Sequence, residues 1–272
     1  MNASANPPTD TRARPVALIT GASSGIGYEL ARKFGEHGYD LIVVSDNREK
    51  LSAAADRLRQ LASQPGIEVV TADLATSAGV NEVYERVRQL GRPVAVLAAN
   101  AGVGVYGSFD ETNLDDEIAL INLNVTSQVH LIKLVLRDMR ERDEGDILIT
   151  SSIAGLMPGP LMAVYAASKA FLRFFGQAIR EELKDTGINV TVLMPGPTET
   201  EFFERADMLE STVGQAKKQS AEEVAQAGFE ALRDREDHVV PGAKNKLQAG
   251  IAKLMSDPAR AKAHGAQTKP KH

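Results

Sequence analysis

The residues best suited to chemistry are a tyrosine and a lysine four positions apart, Tyr165 and Lys169, in the stretch Tyr-Ala-Ala-Ser-Lys. Apolar residues from 163 to 184 recur at helical spacing, and residues four apart on a helix share one face. The Lys169 ammonium would then lie beside the Tyr165 phenol, where a cation favours phenolate and lowers the phenol pKa from about 10. Such a phenol is a general acid/base usable near neutral pH. The pair alone is also typical of a helix surface, so its place in the fold matters.

A second chemical signal is the glycine-rich turn Thr-Gly-Ala-Ser-Ser-Gly-Ile-Gly at residues 20–27, between a predicted strand and a predicted helix. A helix N-terminus behind such a turn offers free backbone N–H groups to a phosphate. Gly21 permits the tight turn, Gly25 lets the backbone approach a pyrophosphate, and Gly27 lets the helix pack close to the sheet. The spacing G-x-x-x-G-x-G differs from the general dinucleotide pattern G-x-G-x-x-G.

The same turn also satisfies G-x-S-x-G, the nucleophile elbow of α/β-hydrolases, with Ser23 as the nucleophile. A hydrolase needs an acid and then a histidine downstream of the elbow. Among the five histidines only His238 is a candidate, and it follows a run of charges rather than a clear loop after a strand. We therefore interpret the turn as a phosphate-binding loop and keep the hydrolase as the weaker alternative.

Two acidic residues follow predicted strands. Asp46 lies 19 residues after Gly27, and a carboxylate at this distance binds the hydroxyls of an adenosine ribose and repels a 2′-phosphate. This spacing favours NAD, although a solvated turn residue would look the same, and Arg48 keeps NADP open because it can pair with a phosphate. Asp73, followed by Leu74, is predicted to accept a hydrogen bond from the adenine amino group or to cap the next helix.

Two further polar stretches follow the fourth and fifth predicted strands. Asn100-Ala101-Gly102 places small residues where the backbone can approach a cofactor, although such a run is also typical of an ordinary turn. Ser151 and Ser152 place hydroxyls at the same edge, where a serine is equally typical of a cap.

The elements that must position these residues form one repeating pattern. Apolar runs predict seven strands, at residues 16–19, 40–45, 67–71, 93–98, 146–150, 188–193 and 237–240. Helical segments alternate with them, so the pattern predicts an α/β fold: a single doubly wound Rossmann-like domain with a parallel sheet of about seven strands and helices on both faces. Ligands bind at the carboxyl ends of such strands, where the residues above fall.

Composition narrows the classes of function. The net charge of −5, from 31 basic and 36 acidic residues, argues against a nucleic-acid-binding protein. The chain has no cysteine, so it has neither a disulfide framework nor a thiolate nucleophile, and no His/Asp/Glu cluster has the spacing of a metal site. No continuous apolar run approaches the roughly 20 residues of a membrane span, and we expect a cytoplasmic protein without a membrane partner.

The organisation expected along the chain is simple. Residues 1–14 are polar and predict a disordered tail, residues 15–260 a single domain, and residues 261–272 a C-terminal tail. Within the domain, residues 198–220 mix polar and apolar side chains and predict a lid over the substrate, with short helices.

Taken in order, these motifs resemble the short-chain dehydrogenase/reductase family, of the compact Tyr-x-x-x-Lys type, over residues 16–200. The Thr-Gly-x-x-x-Gly-x-Gly turn is specific to that family, and Tyr165 follows Ser152 by 13 residues. The resemblance implies a catalytic tetrad of Asn124, Ser152, Tyr165 and Lys169. In it Lys169 lowers the pKa of Tyr165, and Asn124 bends the long helix and supports a proton relay.

The resemblance also implies a bound NAD, with NADP possible. The implied cofactor-binding residues are Gly21, Ser23, Ser24, Gly25, Ile26, Gly27, Asp46, Asp73, Leu74, Asn100, Ala101, Gly102, Tyr165, Lys169, Pro195, Gly196, Thr198 and Thr200. The family's first asparagine of Asn-Asn-Ala-Gly is here Ala99, which is expected to weaken a contact within the sheet without touching a catalytic role. Pro197 replaces an often large apolar residue, so the nicotinamide pocket is expected to differ in shape.

The activity implied is interconversion of a secondary alcohol and a ketone by hydride transfer. A non-catalytic dinucleotide-binding sensor or scaffold is the alternative from another class, and Tyr165→Phe would separate the two. A hydrophobic substrate is suggested by candidate wall residues, namely Leu156, Met157, Leu161, Met162, Phe202, Phe203 and Met208. The long helical segments predicted from Leu114 and from Ala163 resemble family surfaces that form dimers and tetramers, so we expect a homo-oligomer, with a tetramer favoured.

Overall fold

Strands and helices alternate along the first two thirds of the chain in a computed structural model that describes residues 14–270. The tail predicted for residues 1–14 therefore lies, apart from Arg14, outside the described residues. The elements of this part are β1 Val16–Thr20, α1 Gly25–Glu36, β2 Asp40–Ser45, α2 Arg48–Arg59, β3 Ile67–Thr71, α3 Ser77–Gln89, β4 Val94–Ala99, α4 Leu114–Ile121, a π-helical turn Asn122–Thr126, α5 Ser127–Arg142, β5 Gly145–Thr150, a 3₁₀ turn Ile153–Leu156, α6 Ala163–Glu182 and β6 Ile188–Leu193.

The last third is less regular. Its elements are β7 Thr198–Glu199, α7 Phe202–Arg205, α8 Thr212–Gln215, β8 Gln219–Ser220, α9 Ala221–Arg233, β9 His238–Val239, α10 Ala243–Leu254 and α11 Asp257–Thr268. The short pair β7–β8 and helices α7 and α8 make up the segment predicted as a lid.

Seven strands form one sheet in the order β3-β2-β1-β4-β5-β6-β9, and every pairing in it is parallel. The doubly wound α/β fold predicted from the apolar runs is confirmed. The chain reverses its direction across the sheet between β1 and β4. Ligands of such sheets bind at this switch point, outside the carboxyl ends of the strands.

Apolar side chains fill both faces of the sheet, as expected for a parallel sheet covered by helices. On β1, Leu18 joins a core cluster with residues of α3, α5 and α6, while Ile19 joins the cluster formed with α1, α2 and α9. Both side chains are fully buried. The strands are therefore held from both sides, and the loops at their carboxyl ends begin from fixed points.

The helical region Leu114–Arg142 is long and apolar enough, by length and composition alone, to cross a membrane. A core helix of a water-soluble domain passes the same test, and here Leu131, Ile132 and Val135 are buried against the sheet. The helical backbone is continuous through this region, as expected from the sequence, and the π-helical turn Asn122–Thr126 widens it between α4 and α5.

Residues 261–268 of the expected C-terminal tail belong to helix α11, Asp257–Thr268. Polar contacts hold this helix in place rather than an apolar stripe. The Tyr106 hydroxyl donates to the Thr268 carbonyl at 2.7 Å, and the Thr268 hydroxyl donates to the Pro160 carbonyl at 2.9 Å. Periodicity of apolar residues could not reveal a helix that docks in this way.

Candidate active site

The glycine turn has the geometry of a phosphate cradle. Gly21 and Gly25 have φ angles of 69° and 57°, a region that favours glycine. A Cβ on Gly27 would lie 2.1 Å from the Gly21 carbonyl oxygen, so helix α1 packs closer to the turn than any side chain permits. Ser24 precedes α1, and its side chain makes no capping hydrogen bond within the described chain. The first N–H groups of α1 are therefore left to a ligand in the cleft, which fits a pyrophosphate.

Ser23, the nucleophile of the hydrolase alternative, is buried and shares a hydrogen bond of 3.0 Å with the Ser45 hydroxyl. A serine nucleophile needs a histidine base at this distance. The neighbour here is a second serine, which cannot take the proton. The geometry therefore favours the phosphate-binding interpretation of the turn.

Asp46 stands exposed just beyond the end of β2, where a ribose would reach it. Its Oδ1 accepts only a long hydrogen bond from Ser45, at 3.2 Å, among the contacts of the described residues. The helix that follows has its own cap, because the Asn47 side chain accepts from the Lys50 N–H at 2.9 Å. The Asp46 carboxylate therefore does not cap α2.

Asp73 occupies the corresponding place after β3. Its Oδ1 accepts from the Ala75 N–H at 2.9 Å, which closes a small turn. The capping role considered for Asp73 is wrong: Thr76 caps α3 by accepting from the Gly79 N–H at 3.0 Å.

The loop after β4 is fastened to the end of β1. The Thr20 hydroxyl accepts from the N–H groups of Asn100 and Ala101 at 2.9 and 3.0 Å, and the Asn100 amide donates to the Thr20 carbonyl at 3.2 Å. These bonds explain why small residues follow β4, since Gly21 and Ala101 lie in near contact. The loops that follow β1 and β4 are therefore held in a fixed position relative to each other.

Asn124 is fully buried at the centre of the π-helical turn. Its side chain accepts from the Val103 N–H and donates to the Val103 carbonyl, both at 2.9 Å, and also donates to the Ser168 hydroxyl at 3.1 Å. Asn124 thus joins the loop after β4 to helix α6. It stands behind the cleft rather than on its surface.

Tyr165 and Lys169 lie on the first turns of α6, facing the cleft. The Lys169 Nζ donates to the Thr150 carbonyl at 3.0 Å and lies 5.7 Å from the centroid of the Tyr165 ring. Lys169 is only 4% exposed, whereas Tyr165 is half-buried. The helical spacing therefore brings the pair together as predicted.

The pKa values of this pair differ from the expectation that Lys169 lowers the pKa of Tyr165. Burial raises the pKa of Tyr165 to about 12, and the Ser152 hydroxyl acts in the opposite direction. Burial also lowers the pKa of Lys169 to about 8. Desolvation disfavours the charged form of both groups and is the largest cause of each pKa change.

Ser152 and Ser151 have separate tasks. The Ser151 hydroxyl is buried and donates to the Lys169 carbonyl at 2.6 Å, which fixes the start of α6 to β5. Ser152 remains partly accessible; its hydroxyl accepts from the Ala154 N–H at 3.1 Å and makes a long 3.3 Å bond to the Pro195 carbonyl. Ser152 is therefore the serine that can turn towards a substrate.

The segment after β6 forms one wall of the cleft. Gly196 and Thr198 follow Pro195 along the wall, and the Thr198 hydroxyl donates to the Gly196 carbonyl at 2.9 Å. Thr200 reaches back to the glycine turn, because a Cβ added at Gly25 would lie 2.8 Å from its methyl group. The two ends of the predicted cofactor site meet here.

Every predicted site residue except Asn124 lines one cleft at the carboxyl ends of the strands. Five of the predicted apolar wall residues line it too, namely Met157, Met162, Phe202, Phe203 and Met208. Leu156 is instead buried in a cluster with Val192 and Val240, and Leu161 lies outside the lining with a φ angle of 63°.

Sequence reasoning missed the wall supplied by α10 and α11, which consists of Gln248, His264, Gln267 and Thr268. One signal could have found α11: Ser256 stands at its N-cap position, followed by Asp257 and a proline in the first turn. Serine, an acidic residue and proline in this order are typical of a helix start.

Comparison with known proteins agrees with the family resemblance that the sequence motifs indicate. The family model for short chain dehydrogenases matches residues 15–211. A very-long-chain 3-oxoacyl-CoA reductase from Mus musculus is 33% identical over 185 residues, which cover 66% of this chain and 58% of that protein.

Two solved structures share the fold closely. A short-chain dehydrogenase from Sphingobium yanoikuyae in complex with NADPH is 33% identical, with a TM-score of 0.78 over 89% of this chain and 96% of that one. A bulky-bulky ketone specific alcohol dehydrogenase from Comamonas testosteroni is 31% identical, with a TM-score of 0.74 over 89% of this chain and 94% of that one.

Proposed function

Because this chain belongs to the short-chain dehydrogenase/reductase family of NAD(P)-dependent oxidoreductases, we propose that it interconverts a secondary alcohol and a ketone on a hydrophobic small molecule, with Tyr165 as general acid/base. The observation that carries the proposal is the convergence of Ser152, Tyr165 and Lys169 on the cleft that also contains the glycine turn. The bulky-ketone specificity of the Comamonas testosteroni relative and the methionine and phenylalanine wall support a hydrophobic substrate.

The residues present fit a nicotinamide dinucleotide. The N–H groups at the start of α1 would hold the pyrophosphate, and Asp46 and Asp73 the adenosine half. Lys169, Gly196, Thr198 and Thr200 would hold the nicotinamide half. When bound, the dinucleotide supplies or accepts the hydride.

Tyr165 handles the proton in this proposal. Its phenol is protonated at neutral pH, because burial raises the pKa of the group to about 12. It is therefore ready to donate a proton to a ketone oxygen during reduction. Ser152, with a weak 3.3 Å bond to the Pro195 carbonyl, exchanges that bond for one to the same ketone oxygen and orients it.

Lys169 and Asn124 support the proton donor. The Lys169 ammonium is anchored on the Thr150 carbonyl, and a Cβ at Gly102 would lie 3.3 Å from its Nζ and 3.0 Å from the Asn124 Oδ1. Because the Lys169 and Asn124 side chains both border Gly102, their arrangement supports a path along which Tyr165 regains the proton that it has donated, by way of Lys169 and Asn124.

Parallel fluorescence titrations with NADH and NADPH test the cofactor half of the proposal. We expect tighter binding of NADH, because the free Asp46 carboxylate repels a 2′-phosphate. Tighter NADPH binding would show that Arg48 governs this end of the site. Binding of neither would overturn the dehydrogenase assignment and return attention to Ser23.

A panel of cyclic and aryl ketones, assayed by NADH oxidation, tests the catalytic half. Wild-type protein should reduce at least one of them, and Tyr165→Phe should bind NADH normally without turnover. Equal behaviour of the two proteins, with no turnover in either, favours the sensor or scaffold alternative.

A homo-oligomer is part of the proposal. Helices α4 and α6 carry exposed apolar side chains, including Leu114 at 70% and Phe174 at 63% exposure, with Ile118 and Phe171 beside them. A monomer seldom leaves such a stripe in water. Light scattering after gel filtration should give a dimer or tetramer, and Phe174→Lys should shift it towards monomer.

A further inference from the structure

His264 has an unused hydrogen-bonding atom at the substrate end of the cleft. The residue is only 7% exposed, yet it is part of the cleft lining. Its ring lies against Gly159, where an added Cβ would be 3.3 Å from the His264 Cε1 and 2.6 Å from the Ala166 Cβ. Ala166 is the neighbour of Tyr165, so the ring lies close to the start of the catalytic helix.

The contacts of His264 fix which nitrogen carries the proton. Nδ1 lies 3.1 Å from the Pro158 carbonyl oxygen, which can only accept. Nδ1 is therefore the N–H donor, and Nε2 of the neutral ring presents a lone pair. Burial lowers the pKa of His264, so the ring is neutral at physiological pH. Among the side chains and backbone groups that the structure describes, no hydrogen-bond partner meets Nε2.

Apolar side chains line the cleft to which His264 belongs. Met157, Met162 and Met208 line the same cleft. The polar pair Gln248 and Gln267 also lines it, joined by a 3.3 Å hydrogen bond between their amides. A substrate that fills this space is hydrophobic along its length and meets its polar contacts at the α10–α11 end.

We propose that His264 is a specificity-determining residue that accepts a hydrogen bond from a hydroxyl group of the substrate remote from the reacting carbonyl. The substrate class is then a hydrophobic ketone, or the matching alcohol, that carries a second hydroxyl. This inference rests on the proposed function, whose site it deepens. A ketone without the hydroxyl leaves a buried acceptor unpaired when it displaces water, and binds less well.

The test uses pairs of ketones that differ by one hydroxyl: 4-(4-hydroxyphenyl)cyclohexanone with 4-phenylcyclohexanone, and 4-hydroxyacetophenone with acetophenone. The two pairs place the hydroxyl at different distances from the carbonyl. Wild-type protein should favour the hydroxylated member of at least one pair by about 10-fold in kcat/KM, the size expected for one buried hydrogen bond. Equal kcat/KM values within both pairs would overturn the inference.

Two substitutions separate the lone pair from the docking of α11. In His264→Asn the amide can still donate to the Pro158 carbonyl, but the acceptor at the Nε2 position is lost. In His264→Gln an amide oxygen can reach that position. We expect the preference for the hydroxylated ketone to fall to within about 2-fold of unity in His264→Asn and to survive in part in His264→Gln. A preference unchanged in His264→Asn contradicts the inference.

Binding measurements separate this inference from the proposed function. Calorimetric titration of each ketone into the protein saturated with NAD⁺ needs no turnover, because the oxidised cofactor cannot reduce a ketone. A Kd ratio that favours the hydroxylated ketone in wild type and disappears in His264→Asn supports the role of His264 even where no ketone is reduced. Normal reduction of both ketones with no preference sinks the role of His264 and leaves the oxidoreductase proposal intact.

Discussion

Two walls of the same cleft are built in different ways. The wall at the switch point, from β1 to β4, consists of backbone: glycines in tight contact, open N–H groups, and loops tied to strand ends that are buried on both sides. The wall at α11 is held by hydrogen bonds from side chains to backbone carbonyls of residues far away in the sequence, such as the bond from Tyr106 to Thr268. The first wall is part of the core, and the second is attached to it.

This difference predicts how each wall responds to change. Damage to the backbone wall should disturb the whole nucleotide-binding half, because the glycine turn has no room to adjust. Damage to the attached wall should alter the handling of substrate while the core persists. The predictions below test this contrast, from the largest expected effect to the smallest.

The largest effect is expected from Gly27→Ala. The new methyl group would lie 2.1 Å from the Gly21 carbonyl oxygen, so helix α1 must move away from the turn. NADH binding measured by fluorescence should fall below detection. Gly250→Ala on α10 is the matched control, because no atom lies within 4 Å of its added Cβ. Normal NADH binding by Gly27→Ala would break the contrast.

Tyr165→Phe should come next, with a loss of about 1,000-fold in kcat, the scale of a general acid/base contribution. The fold should be retained, and the Kd for NADH should change by no more than about 2-fold, because Phe keeps the aromatic ring and only one of the implied cofactor contacts is removed. Thermal unfolding and NADH titration provide the controls. Retained turnover would place the proton donor elsewhere.

The pH dependence should differ between the two directions. The alcohol oxidation rate requires the phenolate, and burial raises the Tyr165 pKa to about 12. The kcat/KM for oxidation should therefore rise by about 10-fold per pH unit from pH 6 to about pH 8, while ketone reduction stays level. Above this range Lys169, whose pKa burial lowers to about 8, loses the charge that supports the site. A plateau of oxidation within this range would show that the bound cofactor and Lys169 lower the pKa of Tyr165.

Removal of residues 257–272 should affect the attached wall alone. The variant loses α11 and with it His264 and Gln267 from the cleft lining. We expect kcat/KM for ketones to fall by about 10- to 100-fold, since several buried contacts are lost. NADH affinity should change by less than about 2-fold. A comparable loss of NADH affinity would show that both walls depend on each other.

The smallest effect is expected from Lys50→Ala. Lys50 on α2 pairs with Glu201 of the lid segment at 2.7 Å, and both side chains are more than a third exposed. Exposed ion pairs contribute about 0–1 kcal/mol. Unfolding free energy and NADH affinity should therefore change little, and the small change should vanish in high salt. A large loss of unfolding free energy or of NADH affinity would contradict this expectation and show that the lid is coupled to the backbone wall.

The same contrast explains what the sequence reveals. Buried strands are continuous apolar runs, and the residues that follow them must meet at one edge, so Asp46 and the pair Ser151 and Ser152 are placed at this edge from position alone. The choice of Ser152 over Ser151, and the catalytic role of Tyr165, came from the family resemblance. Asn124 needed the family resemblance, since nothing in its neighbours announces a π-helical turn. Helix α11 has no apolar stripe, and its partners Pro158 and Pro160 lie more than 100 residues away in the chain.

The pKa of Tyr165 illustrates a different limit. Helical spacing correctly places a lysine beside it, but burial decides which way the proton equilibrium moves. Burial depends on the lid and on α6 together, and no local pattern reports it. A pair of residues can thus be located from sequence while its electrostatics cannot.

The π-helical turn at Asn122–Thr126 makes the cleft sensitive to chain length. A hydrogen bond from residue i to i+5 encloses one residue more than an α-helical turn, so the turn acts as a built-in insertion. Deletion of a single residue there would restore an unbroken α-helix and rotate the Asn124 side chain by about 100° relative to the helix on one side. Its two bonds to Val103 would then be lost. Deletion of one residue in this turn, rather than a substitution, is therefore the mutation that would most directly disturb the loop after β4.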